Sequence, residues 1–325
     1  MKAAWYTEPG DARRVLVVGE LETPSPGPGE VRVRVAVSGV NPSDVKTRRR
    51  PLAFPRVIPH SDGAGVIDAV GAGVAPSRLG QRVWLWNGQW QRPMGTAAQY
   101  IVVPEAQAVW LPEHVDLAAG ACLGIPVLTA CQAVRMLGHV AGKTILVTGA
   151  GSSVGHYVTQ IAAQQGARVI GTAGSAARLA NATAAGASAV IDYRQEPVAA
   201  RIRALTDDRG VDAVIDMDLS STAAYVRDGA LAPHGTLVCY GSNQADDVPL
   251  PFRMLLYRSI AVRFFLIYDL LPADREAVLA DVNALLAHDR LVHHVAARFA
   301  LDDIAAAHEA VEGGKLVGNV VVDLP

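Results

Sequence analysis

The chain has 325 residues, of which 50% are hydrophobic and 18% are charged, and its 29 basic and 31 acidic side chains leave a formal net charge of −2. This composition is typical of a globular protein and excludes a disordered or fibrous chain. The near balance of charge produces no field that would attract a polyanion, so nucleic acid is not expected as a partner. At about 150 residues per domain, the length predicts two domains.

Cysteine usage and hydropathy indicate where the chain resides. Cys122, Cys131 and Cys239 form no CxxC pair and leave an odd cysteine. That usage fits a reducing cytoplasm better than a disulfide framework, and the N-terminal residues lack the apolar stretch of a signal peptide. The longest uncharged, mostly apolar run, residues 117–134, is interrupted by glycines and a proline. We expect a buried segment there and no membrane span, because a span needs about 20 continuously apolar residues.

Short apolar segments separated by turn-rich clusters fill the first third of the chain, and they predict strands at 31–37, 63–70 and 81–86. After Pro112 the sequence becomes Ala-rich and helical, and apolar strands then alternate with helices. Six such strands are predicted, at 144–148, 167–171, 188–191, 212–217, 235–241 and 260–265. Nearly continuous apolar strands separated by helices indicate a parallel sheet that is buried on both faces.

The end of the chain returns to the pattern of its beginning. A helix is predicted at 274–288, and short strands follow at 293–299 and 319–324. Because these strands resemble those of the first third, we assign the tail to the same domain. The sequence therefore predicts a β-rich domain that is discontinuous, interrupted by an α/β domain; the predicted ranges are 1–122 with 267–325, and 123–266.

The first strand of the α/β domain leads directly into a glycine-rich turn, TGAGSSVG at 148–155, and then into a helix. A strand, a turn and a helix N-terminus in this order present backbone N–H groups and the positive end of the helix dipole to a pyrophosphate. An ordinary tight turn is the alternative, and Ser152 departs from the usual pattern because it replaces a glycine. We interpret the turn as the phosphate-binding site of a dinucleotide, formed by Gly149, Gly151, Ser152, Ser153, Val154 and Gly155.

The residues that follow the second strand indicate which dinucleotide binds. An NAD site places Asp or Glu about 20 residues beyond the first glycine, where the carboxylate would repel a 2′-phosphate. No acidic residue occurs between positions 156 and 191, and the strand ends near Thr172, Ser175 and Arg178 instead. Hydroxyls and a guanidinium are donors that suit phosphate oxygens. NADPH is therefore favoured over NADH, although Arg178 could also be a solvated helix residue.

The order of several motifs along nearly the whole chain resembles that of the medium-chain dehydrogenase/reductase superfamily, and specifically its zinc-free quinone oxidoreductase branch, which includes zeta-crystallin. The motifs are SGVNPSDVKTR at 38–48, HSDGAGVIDAVGAGV at 60–74, GIPVLTA at 124–130, ILVTGAGSSVG at 145–155, GTAGSAAR at 171–178, IDYR at 191–194 and GGKLVGNVVVDL at 313–324. The resemblance implies an α/β fold with a GroES-like β-rich catalytic domain and a Rossmann domain, whose doubly wound sheet has six parallel strands.

The resemblance also bears on metal binding. Zinc-dependent alcohol dehydrogenases of this superfamily place a Cys after the SGV motif and a His before the acid of the GAG motif, where this chain has Asn41 and Ser61. Gly124 falls near the third ligand position. An amide, a hydroxyl and a glycine do not replace thiolate and imidazole around Zn²⁺. Residues 85–115 also lack the cysteines of a structural zinc site, so we expect no metal.

By the same resemblance, Asn41 would line the nicotinamide and substrate pocket, and Thr129 would hydrogen-bond the nicotinamide carboxamide. Gly241 and Ser242 would pass under the nicotinamide ribose. The 2′-phosphate would lie among Ser175, Arg178 and Tyr193, and Lys315 and Asn319 would close over the cofactor.

The basic side chains that follow Asn41 have two open interpretations. Related reductases carry a Tyr five residues after the Asn, and this chain has Lys46 there. Lys46 could supply a proton to an enolate, or it could be a solvated lysine on a strand or turn. Arg48, Arg49 and Arg50 precede a proline in a predicted loop, which favours a solvated charge cluster over a clamp for an anionic substrate.

The resemblance implies hydride transfer from NADPH to a quinone or a similar electron-poor acceptor. Reduction of an enone, enoyl thioester or 2-alkenal is the alternative within the enzyme class, and a crystallin-like protein that binds NADPH with little turnover is the alternative outside it. A homodimer is expected, with the sixth predicted strand, 260–265, as the sheet edge that pairing would cover.

Overall fold

The computed structural model of the protein describes residues 1–244 and 246–325. These residues form two compact units, one made of Met1–Ile125 with His293–Pro325 and the other of Pro126–Val292. Within the described residues the strands are β1 (Lys2–Trp5), β2 (Val17–Glu20), β3 (Glu30–Val40), β4 (Asp62–Val70), β5 (Arg82–Leu85), β6 (Tyr100–Pro104), β7 (Ala108–Trp110), β8 (Thr144–Val147), β9 (Arg168–Ala173), β10 (Ala189–Asp192), β11 (Val211–Asp216), β12 (Leu231–Cys239), β13 (Ala261–Phe264), β14 (Val295–Ala300) and β15 (Asn319–Asp323).

The described α-helices vary in length from one turn to more than four turns. They are α1 (Ala12–Val15), α2 (Pro42–Arg48), α3 (Leu117–Gly120), α4 (Leu128–Arg135), α5 (Ser153–Gln164), α6 (Ala176–Ala184), α7 (Val198–Leu205), α8 (Leu219–Arg227), α9 (Phe252–Tyr257), α10 (Pro272–Ala287) and α11 (Ile304–Gly313). One turn of π-helix, Leu123–Val127, precedes α4.

The first unit contains a seven-stranded sheet in which β14, β15, β3, β4, β5 and β7 are neighbours in that order and β6 pairs with β3. Alternation along β3 explains its place in the core, since Val31, Val33 and Val35 are buried and pack with Ile67 of β4. This unit is the GroES-like β-rich domain that the sequence predicted. Strands β4 and β15 flank the end of β3, and they begin at Asp62 and Asn319, two residues discussed below.

The second unit contains a six-stranded sheet with the strand order β10-β9-β8-β11-β12-β13, and every neighbouring pair is parallel. This is the doubly wound order of a Rossmann fold, as predicted, and the direction of the strand order changes between β8 and β11. In such sheets ligands bind at the carboxyl ends of the strands beside this change. The predicted glycine-rich turn follows β8 and therefore lies at that place.

The boundaries between the units differ from the predicted ones. Residues 267–292, which the sequence assigned to the β-rich domain, lie in the second unit. Its helix α10 buries Val278, Val282 and Leu286, and Arg135 of α4 pairs with Asp281 of α10 at 2.8 Å. An apolar stripe with this spacing predicts a helix that covers a surface, but it carries no information about which surface it covers.

All three cysteines are free and buried. Burial raises the pKa of the Cys122 and Cys131 thiols well above their ordinary range and that of Cys239 to about 11. Burial removes the thiolate's water shell, which disfavours the charged form. The three side chains are therefore uncharged thiols at neutral pH.

Candidate active site

The glycine-rich turn has the backbone geometry that a phosphate-binding loop requires. Gly149 has a φ of +62°, and the side chain of Met217 occupies the position that a Cβ would take. Ser152 caps α5, because its Oγ accepts a hydrogen bond from the backbone N–H of Gly155 at 3.2 Å. Ser152 thus stands where the usual pattern has a glycine, and its hydroxyl serves as the N-cap of α5.

Two further glycines in the turn allow the backbone to pack closely. A Cβ on Gly151 would lie closer than 3.0 Å to the carbonyl oxygen of Arg178, and one on Gly155 would lie as close to the carbonyl oxygen of Gly149. Neither clash involves a flexible side chain, so the backbone itself would have to move. The spacing predicted for a dinucleotide site is therefore matched by three positions at which only glycine fits.

A cavity of about 360 Å³ opens at this turn, at the carboxyl ends of β8, β9 and β11. Of the residues proposed from the sequence, it brings together Gly149, Gly151, Ser152, Thr172, Arg178 and Tyr193. Thr172 also accepts a hydrogen bond from the N–H of Gly149 at 3.2 Å, which joins the end of β9 to the turn. The cavity can therefore hold an anionic group beside a guanidinium.

Other predicted residues of this unit do not line the cavity. Ser153 and Val154 lie in the first turn of α5, and Ser175 caps α6 by accepting from the N–H of Arg178 at 3.4 Å. Gly241 accepts from the N–H of Leu219 at 3.4 Å, and Ser242 donates to the carbonyl of Gln244 at 2.9 Å. The next residue, Asn243, does line the cavity.

Asp218 and Asn243 form a wall of the cavity that the sequence reasoning missed. Asn243 donates both its backbone N–H and its side-chain amide to Asp218, at 2.9 and 2.8 Å. Burial alone would raise the pKa of Asp218, but hydrogen bonds from Ser220, Asn243 and Ser221 lower it below its ordinary value. Asp218 is therefore ionised and its charge is distributed over several donors. The sequence offered one signal for this wall: Asp218 is a polar residue just after β11, the fourth strand of the doubly wound sheet in chain order.

Beside Asp218, a fully buried carboxyl connects β8 with β11. Thr148 donates to Asp216 Oδ1 at 2.7 Å, and Thr222 donates to Asp216 Oδ2 at 2.5 Å. Burial raises the pKa of Asp216. These bonds hold the two strand ends between which the cavity opens.

Thr129 has the environment expected of a residue that hydrogen-bonds a ligand. It lies on α4, it is buried, and its hydroxyl has no hydrogen-bond partner among the described residues. A buried hydroxyl without a partner costs about 1–3 kcal/mol, which makes a bound polar group the natural complement. The predicted carboxamide contact suits this position.

Asn41 belongs to the first unit and is fixed by two buried carboxyls. Its side-chain amide donates to Asp62 Oδ2 at 2.8 Å, and its backbone N–H donates to Asp44 Oδ2 at 2.7 Å. The N–H of Ile125 also donates to Asp62 Oδ2, at 3.0 Å, whereas Asp62 Oδ1 has no partner among the described residues. Burial raises the pKa of Asp44 to about 7, and burial together with the charge of Asp44 raises that of Asp62 well above its ordinary value.

The basic residues after Asn41 differ from both the loop and the strand that the sequence suggested. Lys46 lies on the exposed side of α2, so it is neither on a strand nor in a turn. Arg48 is completely buried, which contradicts the predicted solvated cluster. Its guanidinium donates to the carbonyl of Gly10 at 2.9 Å, to His308 and to Glu312. Arg49 and Arg50 are exposed as predicted.

The predicted C-terminal residues occupy different environments. Lys315 is exposed in the segment after α11. Asn319 is buried at the start of β15, where its backbone N–H and its side-chain amide both donate to the carbonyl of His294, at 2.8 and 3.2 Å. Asn319 therefore fixes the start of β15 beside the residue that precedes β14.

Comparisons with known proteins agree with this architecture. The family model described as an alcohol dehydrogenase GroES-like domain matches residues 27–113, and the one described as a zinc-binding dehydrogenase matches residues 153–284. The quinone oxidoreductase of Pongo abelii is 28% identical over 291 residues, which are 87% of this chain and 86% of that protein. The chain belongs to the medium-chain dehydrogenase/reductase superfamily. As a member of this superfamily it is an oxidoreductase, and its relatives include quinone oxidoreductases.

The solved structures that resemble this chain include proteins associated with NAD and with NADPH. A protein described as an NAD-dependent alcohol dehydrogenase has a TM-score of 0.88 and 29% identity, with all of both chains covered. A mycobacterial protein complexed with NADPH has a TM-score of 0.87 and 27% identity, with 99% of this chain and 100% of that chain covered. A nicotinamide dinucleotide is thus common to these relatives, and the choice between NADH and NADPH rests on the residues of this chain.

The side chains at the superfamily's metal positions do not fit zinc. The amide of Asn41 is bonded to Asp62, and Gly124 has no side chain; a Cβ there would collide with Asp62 Oδ1 and with the carbonyl of Leu85. Zinc in proteins takes thiolate, imidazole or carboxylate ligands in a tetrahedral set, and Asn41, Ser61 and Gly124 offer none of these.

Across the part of the chain that the structure describes, no helix is both long and apolar enough to cross a membrane.

Proposed function

We propose that this medium-chain dehydrogenase/reductase is a zinc-independent, NADPH-dependent quinone oxidoreductase. One observation carries the proposal: the cavity at the phosphate-binding turn is lined by Arg178 and Tyr193 on the side where NAD-specific enzymes place a carboxylate. A guanidinium can form two parallel hydrogen bonds with phosphate oxygens, which favours a cofactor that carries a 2′-phosphate.

The residues that would hold the cofactor fit its parts. The N–H groups of the turn and the N-terminus of α5 suit the pyrophosphate, Arg178 and Tyr193 suit the 2′-phosphate, and the unpartnered hydroxyl of Thr129 suits the carboxamide. When bound, the dihydronicotinamide supplies a hydride, that is, two electrons and a proton equivalent. Asp218 lines the same cavity, but its charge is engaged by Ser220, Ser221 and Asn243.

The residues of the first unit favour reduction of an activated acceptor over oxidation of an alcohol. Alcohol oxidation by zinc enzymes uses a Lewis acid to lower the pKa of the hydroxyl, and the donors at the metal positions here do not fit zinc. An amide such as that of Asn41 can instead donate to the oxygen of a quinone as negative charge develops there. Water then delivers the proton that completes the quinol, and Lys46 stays a hypothetical second source.

A substrate panel tests the proposal. NADPH and NADH oxidation are followed at 340 nm with 1,4-benzoquinone, 9,10-phenanthrenequinone and a 2-alkenal as acceptors, before and after dialysis against a chelator. We expect the highest kcat/KM with NADPH and a quinone, and no change on dialysis. A higher kcat/KM with the alkenal would favour the enone reductase, and binding of NADPH without oxidation by any acceptor would favour a crystallin-like binding protein.

We also propose that the protein is a homodimer that pairs through β13. This strand lies at the edge of the six-stranded sheet, and its Phe264 is 59% exposed. Covering is one of the ways in which proteins protect an exposed apolar edge strand, and a second copy of the chain provides a strand with matching unpaired backbone groups. Light scattering of the protein and of a Phe264→Lys variant should give the mass of a dimer for the former and of a monomer for the latter.

A further inference from the structure

A continuous chain of hydrogen-bonded side chains runs through the interior of the first unit. Arg48 contacts His308 Nδ1 at 2.8 Å, the two histidines meet through their Nε2 atoms at 2.9 Å, and His60 Nδ1 contacts Ser38 Oγ at 2.8 Å. Ser38 Oγ contacts Thr96 Oγ1 at 2.7 Å, and Thr96 donates to the main-chain carbonyl of Asp62 at 2.5 Å. All five side chains have no solvent-exposed surface.

The Arg48 end determines the direction of the hydrogen bonds. A guanidinium only donates, so His308 Nδ1 must accept. A neutral imidazole that accepts at Nδ1 carries its proton on Nε2. His308 therefore donates to His60 Nε2, and His60 carries its own proton on Nδ1.

The Asp62 end gives the same answer independently. A carbonyl only accepts, so the hydroxyl proton of Thr96 is committed to Asp62 and Thr96 Oγ1 must accept from Ser38. The proton of Ser38 is then committed as well, so its oxygen accepts from His60 Nδ1. Both ends require the same tautomer for each histidine, and every bond in the chain points from Arg48 toward Asp62.

This arrangement holds only while both imidazoles are neutral. An added proton on His60 would turn its Nε2 into a donor, which would move the proton of His308 to Nδ1 and against the guanidinium of Arg48. Burial lowers the pKa of His60 to about 3, and burial together with the neighbouring His60 and Arg48 side chains lowers the pKa of His308 as well. His60 also has a φ of +76°, an unusual conformation for a residue with a Cβ.

The series of hydrogen-bonded side chains ends at Asp62, the residue whose carboxyl holds Asn41. Arg48 is anchored by the carbonyl of Gly10 and by Glu312, and Thr96 bonds the residue whose carboxyl accepts from Asn41. We propose that Arg48 is a positioning residue, which acts through His308, His60, Ser38 and Thr96 to fix the main chain at Asp62 and thereby the orientation of the Asn41 amide. The effect on turnover rests on the proposed function, because Asn41 is the residue that would contact the acceptor.

Nitrogen-15 NMR of the full-length, histidine-labelled protein tests the direction of the chain without any assay. At pH 7, His60 should be the Nδ1–H tautomer and His308 the Nε2–H tautomer, and neither should titrate near pH 6.5. Arg48→Met should leave both tautomers in place, because the Asp62 end still requires them, but it should shift the His308 Nδ1 resonance, since that nitrogen loses its hydrogen-bond donor. Arg49→Met, which removes the exposed neighbour that contacts the same Glu312 at 3.2 Å, should leave both spectra unchanged. The opposite tautomers, or an Arg48→Met spectrum identical to the unsubstituted one, would overturn the proposal.

Kinetics test the positioning role. Arg48→Met should lower kcat for 1,4-benzoquinone at least fivefold with the KM for NADPH within twofold, whereas Arg49→Met should change neither. If Arg48→Met does not fold, His308→Gln and His308→Leu replace it: the Gln amide offers an acceptor to Arg48 and a donor to His60, so it should retain more activity than Leu. Equal activity in the two His308 variants, or a loss confined to KM, would refute the role. Absence of turnover in the unsubstituted protein would refute the proposed function, and the positioning role with it, while the NMR result would still decide the direction of the chain.

Discussion

Asp62 Oδ2 accepts hydrogen bonds from both the side-chain amide of Asn41 and the backbone N–H of Ile125, and its other oxygen has no partner among the described residues. Asp62→Ala would leave two buried donors unsatisfied, at a cost of about 1–3 kcal/mol each. Because the Asn41 amide also loses the acceptor that orients it toward the proposed acceptor oxygen, we expect this variant to lose about tenfold or more in kcat. Asp62→Asn keeps an acceptor oxygen and should stay within about threefold of the unsubstituted enzyme. If Asn is as damaging as Ala, the acid group itself and not its acceptor oxygen is required.

Arg178 should decide the preference for NADPH. A hydrogen bond to a charged group contributes about 1.5–3 kcal/mol, so Arg178→Ala should raise the KM for NADPH by about tenfold or more. The KM for NADH should change by less than twofold, because that cofactor has no 2′-phosphate. Arg201→Ala is a matched control, since Arg201 lies on α7 and pairs with Glu196. Equal losses with both cofactors would show that Arg178 acts on the fold and not on the phosphate.

Gly155 should not tolerate a methyl group. The Cβ of Gly155→Ala would press on the carbonyl oxygen of Gly149, and overpacking of this kind costs about 1–3 kcal/mol. We expect a lower Tm and weaker binding of NADPH, measured by thermal unfolding and by fluorescence titration. Gly313→Ala is the control, because a Cβ there meets nothing within 4 Å. Its Tm should match that of the unsubstituted protein, and a similar loss in both variants would contradict the packing argument.

The buried carboxyl of Asp44 should make stability fall as pH rises. Burial raises its pKa to about 7 in the folded protein, from 3.8 in a solvated chain. Between these values the unfolded chain releases a proton that the folded protein keeps, so stability falls by up to about 1.4 kcal/mol per pH unit from this group. Above about pH 7 the effect is complete.

Asp44→Asn should remove this pH dependence, because the amide does not titrate and its oxygen can still accept from Asn41. Urea unfolding at pH 5 and pH 7.5 measures the difference: the variant should gain stability relative to the unsubstituted protein as pH rises. Asp208→Asn, at a carboxyl that is 91% exposed, should run parallel to the unsubstituted protein. Parallel behaviour of Asp44→Asn would mean that Asp44 is ionised in the fold.

The phosphate-binding turn was predictable because its signal is local. Eight consecutive residues contain the strand end, the turn glycines and the N-cap, and the strand order that places them at the sheet's change of direction follows from alternating strands and helices. Thr172 and Arg178 could be added because they lie at the end of β9 and shortly after it, and Tyr193 was implied by the family resemblance. Asp218 was missed because it follows β11, whereas the acid that binds the ribose in an NAD site follows the second strand of the sheet.

The environment of Arg48 was not predictable from its neighbours. Within the chain it stands in a run of three arginines before a proline, which is the pattern of a solvated loop. Its partners His308 and Glu312 are 260 and 264 residues away and lie on one face of α11. A buried cation is stable only with such partners, and no local pattern reveals a pairing over that separation. The contact of α10 with α4 in the second unit is likewise non-local, since Arg135 and Asp281 are 146 residues apart.

The burial of the cysteines affects whether the proposed quinone substrates can alkylate the protein. Benzoquinones are electrophiles that alkylate thiolates, and they attack exposed, ionised cysteines first. Cys122, Cys131 and Cys239 are protonated and shielded from solvent, so repeated exposure to such acceptors should leave the polypeptide chemically intact.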